Sequence, residues 1–357
     1  LPSAIDITFS GPLVAKRNVS ALAVQGAVTG LTFTTPTPGT GYGDAVTVSR
    51  FLDCNDESLA LSIDIVEGKG MRPGMRAFRT DRRAQGKREA GGDIELEIAS
   101  KGFGLILGHM LGAAPVITTP SGATNTRDHA VSVGDNWNRS LTIQAGRPST
   151  PSDASNVDPF TYLGCKVASW ELSGDLDGVV TAKLTIDARD ESQVPALASA
   201  SYASTIEFLY FTGASLTING ALMPAKKWSL KGDMGYDLSR RFQGSGLKRE
   251  PIRASIPSFE GTIDYEYEDQ VHYNRFVNRT VAPIVILCEG SIIEPGGGAT
   301  VNPRYGLQIT VPNAEFQGGG PTTGGADILV PSIDFKGLDD GTNSPVSFRY
   351  RTTDTTA

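Results

Sequence analysis

Residues 58–65, SLALSIDI, and 93–98, DIELEI, decide how this chain is read, because both recur downstream as 227–234, KWSLKGDM, and 262–267, TIDYEY. Leu59 answers to Trp228, Leu61 to Leu230, Gly92 to Gly261, Ile94 to Ile263, Leu96 to Tyr265 and Ile98 to Tyr267, each time 169 residues later. One offset shared by separate patterns marks a repeated unit. Within SLALSIDI, Leu59, Leu61, Ile63 and Ile65 alternate with Ser58, Ala60, Ser62 and Asp64, the period of two that a half-buried strand requires.

Working outward, the polar stretch VEGKGMRPGMRAFRTDRRAQGKREAGG separates the two strands of the first copy and reads as an extended hairpin with a basic tip. After DIELEI, SKGFGLILGHMLG sets Phe103, Ile106, Leu107 and Met110 at helical spacing before Gly112 and Pro115, predicting one short amphipathic helix. Three strands follow, SLTIQAG, LGCKVASWELSG and VVTAKLTIDAR, with SGDLDG supplying the Asp and Gly of a tight turn between the last two. The second copy repeats the succession through KKWSLKGDM, a stretch carrying Arg240, Arg241, Lys248 and Arg249, GTIDYEYED, a helix in QVHYNRFVN, PIVILCEG, RYGLQITVPNAEFQG and ADILVPSIDFKG. TIDARDE at 185–191 resembles SIDFKGLDD at 332–340.

The expected organisation is an arm over 1–45, a first β domain over 46–193, a connector over 194–206, a second β domain over 207–350 and a tail over 351–357 that frays. The loop at about 115–138 and the Gly-rich loop at 318–325 read as surface insertions. With 41 Gly, 21 Pro and 39% hydrophobic residues in 357, the composition suits a turn-rich, all-β chain with minor α. A net charge of −7 argues against general attraction to nucleic acid or an anionic membrane. No apolar run reaches the ~20 residues that span a bilayer, and LPSAIDITFSGPLVAKRN lacks the pattern of a secretory leader.

The residues give no catalytic grammar. His109, His129 and His272 are not at ligand spacing, and Cys54, Cys165 and Cys288 form neither a disulfide framework nor a metal motif. Nucleophile-elbow, HExxH and Walker sequences are absent from the chain. Asp175 and Asp177 belong to a hairpin, since Ile186 stands where a calcium loop needs its bidentate Glu, and Asp339 and Asp340 in LDDGTN read as a turn, with a surface calcium site as the alternative. Glu95, Glu97, Asp264, Glu266 and Glu268 alternate with Ile94, Leu96, Ile98, Ile263, Tyr265 and Tyr267, so they share one strand face instead of converging as a paired acid and base. Arg72, Arg76, Arg79, Arg82, Arg83, Lys87 and Arg88 read as a charged hairpin tip, solvated or paired with an acidic neighbour, in preference to a nucleic-acid site; Phe78 is their one aromatic neighbour, little support for base stacking. No cofactor is expected.

The succession, and in particular GGDIELEIASKGFGLILGHMLG, LGCKVASWELSGDLDGVVTAKLTIDARDE and FTGASLTINGALMPAKKWSL, resembles the tail tube proteins of long-tailed bacteriophages over about 46–350. That resemblance implies two tandem β-sandwich domains, each with one flanking helix, assembling into a ring with an inner β-barrel. It further implies a virion protein assembled in the host cytoplasm, stacked in rings around a channel that the genome and the tape measure protein traverse. Two copies per chain favour a homotrimeric pseudo-hexamer, with a homohexamer of single larger subunits as the alternative. On this reading Asp93, Glu95, Glu97, Asp264, Glu266 and Glu268 face the lumen. The basic hairpins at 66–91 and 235–260, with Arg72, Arg76, Arg79, Arg82, Arg83, Arg240, Arg241, Lys248 and Arg249, make contacts between rings or adjacent domains. Alternatives are another ring of the tail, a terminator or baseplate component, or a carbohydrate-binding or adhesive β-sandwich, for which Trp137 and Trp228 are the candidate platforms.

Overall fold

The computed structural model describes residues 4–7, 31–34, 36–37 and 44–45 and, from residue 50 onward, everything except 71–73, 75–76, 151–152, 296–301, 319 and 321–327. The strands in chain order are β1 (Ala4–Ile7), β2 (Leu31–Thr34), β3 (Pro36–Thr37), β4 (Asp44–Ala45), β5 (Arg50–Leu52), β6 (Asp56–Glu57), β7 (Ala60–Glu67) and β8 (Arg83–Glu97). Helix α1 (Gly104–Leu111) follows, then β9 (Val116–Thr118), β10 (Arg127–Ser132), β11 (Leu141–Thr150), β12 (Asp153–Asp175), β13 (Thr181–Ala188) and β14 (Asp190–Ser192). The second half holds β15 (Ala214–Ile218), β16 (Ala221–Leu222), β17 (Ala225–Asp233), β18 (Ser258–Tyr265), α2 (Val271–Val277), β19 (Ala282–Ile292), β20 (Arg304–Gln317), β21 (Ser332–Gly337) and β22 (Ser347–Thr352). The fold is all-β with two short helices, as the alternating patterns predict.

All the strand pairings among the described residues are antiparallel. In the first half the neighbours run β7-β8-β13-β12-β11, and in the second β17-β18-β21-β20-β19. The C-terminal half of β12 pairs on its other side with β17, Leu172 opposite Leu230. One antiparallel sheet, β7-β8-β13-β12-β17-β18-β21-β20, therefore crosses both halves. These pairings equate Leu184 with Ile333, because Leu184 lies opposite Ile94 and Ile333 opposite Ile263. The likeness of TIDARDE to SIDFKGLDD is therefore two residues out of structural register, which preserves the face because strand side chains repeat every two residues.

One face of this sheet is apolar. Leu96, Ala182, Leu172 and Leu230 form one cross-strand row, and Ile94, Leu184 and Trp170 another. Both rows belong to a single buried cluster that spans the halves. Trp170 donates its indole N–H to the carbonyl of Met110 in α1 at 2.8 Å and stacks edge-on against Phe348 of β22 at 5.4 Å. Burial of these large side chains at ~25 cal/mol per Å² is the main force that joins the layers.

Four expectations change. Helix α1 is buried on every side, not amphipathic, because β10, β12 and β22 all pack on it. Its internal Gly104 and Gly108 face His129 and Pro115, and Gly112 closes it with φ 75°. The stretch 115–138 is no surface insertion: β10 lies between β9 and β22 and buries His129 and Val131. The tail does not fray, since Asp354 accepts the Gly102 N–H at 2.6 Å and Arg50 donates to the Thr356 carbonyl at 2.7 Å. Finally, β18 stops at Tyr265, which leaves Glu266 and Glu268 beyond the strand. Of the arm, β1 and β2 pair with β5 and β11; most of the rest of 1–45, and most of the Gly-rich loop, lies outside the described residues.

Candidate assembly surfaces

The second face of the sheet is polar, and it carries the acidic residues that the sequence singles out. Glu95, Lys183, Glu171, Lys231, Glu260, Lys336 and Glu315 stand opposite one another in succession from β8 to β20, so that charge alternates along the row. Lys231 reaches Glu171 at 3.4 Å and Lys336 reaches Glu260 at 2.9 Å. A parallel row holds Glu97, Thr181, Ser173, Ser229, Thr262 and Asp334. Opposite charges across antiparallel strands stabilise a sheet by ~0.2–1 kcal/mol a pair.

Asp93, Glu95, Glu97 and Asp264 thus share this face, with Lys183 at 3.5 Å from Asp93 and Ser332 donating to Asp264. Glu266 sits at the end of the sheet, 3.6 Å from Lys226. Glu268 is exposed outside it. The interleaved lysines are the part that sequence reasoning missed. Lys183, Lys227 and Lys231 each alternate with buried residues, a signal as strong as the one for the carboxylates.

The two basic stretches have different surroundings. Residues 66–91 form a hairpin of β7 and β8 stitched by Arg83–Glu67 at 2.7 Å and Lys87–Asp64 at 3.7 Å. Arg88 reaches outside it to Asp190 at 2.8 Å. Arg79 pairs with Asp81, Arg82 lies against Gly70, and Arg72 and Arg76 fall outside the described residues. Beyond Leu61, the apolar residues of β7 are uncovered: Ile63, Ile65 and Val66 are exposed, as is Phe78 further along the hairpin. The strand pattern is correct, but the hairpin runs past the core that would bury it. Among the described residues β7 pairs only with β8.

The stretch 235–257 contains no strand and packs instead on the first half of the same chain. Lys248 pairs with Asp187, Glu250 accepts from Lys166 at 2.6 Å and from the Asn138 N–H at 2.8 Å, and Lys166 also donates to the Asn136 carbonyl. Arg241 bonds the Arg88 carbonyl at 2.9 Å and Glu89 at 3.0 Å, while Arg240 donates to the Glu250 carbonyl at 3.0 Å. Arg249 and Arg240 flank the Phe242 ring. Burial pulls Lys166 below its ordinary pKa against the opposing pull of Glu250, and raises Asp187 against the pull of Lys248. A buried ion pair contributes little net stability when intact, yet losing one partner strands a charge.

Among the described residues no three His, Cys, Asp or Glu side chains group as metal ligands, and no helix is long and apolar enough to cross a membrane. The three cysteines are buried, and burial pushes the thiols of Cys54 and Cys288 up to about 12. Of the possible aromatic platforms, Trp228 is core and Trp137 is half exposed.

No curated protein matches this chain. A family model described as phage tail tube protein matches residues 17–337 and so runs through both halves of the sheet and both basic stretches. On that match the chain belongs to the phage tail tube protein family, a structural component of the virion tail.

Proposed function

We propose that this chain builds the wall of the tail tube by closing into rings in which three copies supply six sheet segments around a channel. The reading rests on one observation, the antiparallel sheet β7-β8-β13-β12-β17-β18-β21-β20, to which each half of the chain contributes four strands in the same order. A sheet ending in a strand such as β7 must have its edge covered or joined, and ring closure removes edges altogether. Closed cyclic symmetry then follows from repeated use of one junction. The same match is compatible with six chains per ring, and the mass of a single ring separates the two.

The polar face lines the channel on this reading. Its carboxylates repel the phosphates of passing DNA, and lysines of neighbouring strands hold Asp93, Glu171 and Glu260 against the wall. DNA binders do the reverse and neutralise phosphates with unpaired cations. Neither the DNA nor the tape measure protein is bound specifically, and no cofactor takes part. Rings stack to a tube in the host cytoplasm and remain in the virion.

Electron microscopy and native mass spectrometry of the purified chain test this reading. Hollow tubes whose rings weigh three chains support it; rings of six chains overturn the trimer, and monomers overturn the whole proposal.

A further inference from the structure

We infer that the β7–β8 hairpin of one chain docks on the face formed by α2, β20 and β21 of a second copy. The inference rests on the ring reading above and identifies the contact that joins neighbouring chains.

Its basis is the contact that the chain makes with itself. On the strand side, pairing sets Ile63 opposite Arg88 and Asp233 opposite Ser258, which equates Ile63 with Met234; the offset of 169 that relates β8 to β18 equates Phe78 with Leu247, Arg79 with Lys248 and Asp81 with Glu250. In the second half these positions are occupied by a docked segment. Met234 is 0% exposed and its N–H bonds the Ala168 carbonyl of β12 at 3.0 Å; Lys248 meets Asp187 and Glu250 meets Lys166. The first-half counterparts lack such a surface among the described residues: Ile63 is 43% exposed, its hairpin neighbour Ile65 56% and Phe78 71%, and Arg79 pairs with Asp81. The same kind of segment is thus seated in one half and bare in the other.

The receiving surface shows the converse. The seat used within the chain is the cross-strand couple Lys166 and Asp187 beside the C-terminus of α1, a helix with every residue buried. Pairing equates that couple with Glu315 and Lys336, beside a helix α2 that has no buried residue. Along α2, Tyr273, Phe276 and Val277 lie three and four residues apart and are exposed, an apolar stripe without a cover among the described residues. The hairpin offers apolar Ile65 and Phe78 beside the Arg79–Asp81 pair; the seat offers an apolar stripe beside Glu315 and Lys336, which within the chain meet only the surface side chains of Arg279 at 3.0 Å and Glu260 at 2.9 Å. Within one chain the hairpin and its matching seat sit at opposite ends of the eight-stranded sheet, so a second copy has to supply the match.

Two measurements test this with the full chain. In the first, Ile65→Ser and Phe78→Ser are expected to leave the melting temperature of the unassembled chain unchanged and to abolish tubes, while Met234→Ser and Glu250→Ala lower that temperature by several degrees. Normal tubes from Ile65→Ser with Phe78→Ser overturn the inference and leave the ring reading standing. Absence of tubes from the unmodified chain overturns both. A fall in melting temperature for Ile65→Ser equal to that for Met234→Ser places the hairpin contact within the chain and also overturns the inference.

In the second, a chain carrying Phe78→Cys is mixed with one carrying Val277→Cys and treated with a short bis-maleimide, the native cysteines being buried. A covalent product joining the two different chains is expected. A product from either chain alone, or none from assembled tubes, contradicts it.

Discussion

Trp170 and Gly232 face each other across the β12–β17 pairing, and Gly174 and Trp228 do so further along the same two strands. Each indole lies flat over the glycine of the other half: a Cβ on Gly174 would stand 2.7 Å from Nε1 of Trp228, and one on Gly232 would run into the ring of Trp170. The seam between the halves is therefore reciprocal, one large and one missing side chain from each.

Gly232→Ala is expected to destabilise the chain by ~1–3 kcal/mol, because the buried Trp170 ring has to shift within a filled core. Equilibrium denaturation measures it. A neutral result places the indole elsewhere.

Breaking the buried ion pair between the halves has a larger effect. Glu250→Ala leaves the Lys166 ammonium, the Asn138 N–H and burial unchanged in place, and removal of one buried partner costs ~3–5 kcal/mol. Lys166→Met with Glu250→Met recovers part of that loss, since two apolar side chains strand no charge. A double-mutant cycle of calorimetric melts decides.

The histidines set a pH dependence. Burial holds His109 well below its ordinary pKa, with Arg139 and Lys166 adding to the effect; burial lowers His129 and His272 as well. A folded-state pKa below the unfolded value of about 6.5 means that the unfolded chain takes up protons which the folded chain refuses. Stability is therefore expected to fall as pH drops below about 6.5, by at most ~1.4 kcal/mol per pH unit for each histidine. Asp187, raised by burial, acts with the opposite sign. Denaturant midpoints at pH 7.5 and 5.5 should differ, and His109→Leu should narrow the difference; an unchanged difference removes His109 from the account.

The C-terminal residues carry a specific contact. Asp354 accepts the Gly102 N–H just before α1 and, through its carbonyl, bonds Nε2 of His129 at 2.8 Å. Asp354→Ala strands the Gly102 N–H and removes a negative charge from the start of a helix, an expected loss of ~1–3 kcal/mol. Thermal melts of Asp354→Ala and of a chain ending at residue 352 check this, and identical melts would return the tail to a frayed end.

Much of this was legible beforehand for a physical reason. Strands such as Thr181–Ala188 and Ala225–Asp233 bury one face and leave the other more open, so their period is written in every second residue. The polar face was legible only by half: Glu95 and Asp264 stood out as a repeated row, while Lys183 and Lys227 opposite them come from other strands, and register is needed to see that charge alternates. What decides α1 is which elements cover it, and β10 and β22 arrive from an apparent loop and from near the chain end. Residues 235–257 look like 66–91 in composition; only the neighbouring surface makes one a docked segment and the other a bare hairpin.

If the polar face lines a channel, Glu95→Lys with Asp264→Lys is expected to leave tube length unchanged and to slow DNA release from particles, most strongly at low salt where phosphate attraction is least screened. Release at the unmodified rate would contradict a lumenal position for both.

The most direct test is a helical reconstruction of assembled tubes in which the sheet is traced through one ring. The account predicts the row Glu95, Lys183, Glu171 and Lys231 on the inner wall, with β7 of each chain against the second half of its neighbour. The same row on the outer surface, or a β7 edge left open to solvent, would contradict it.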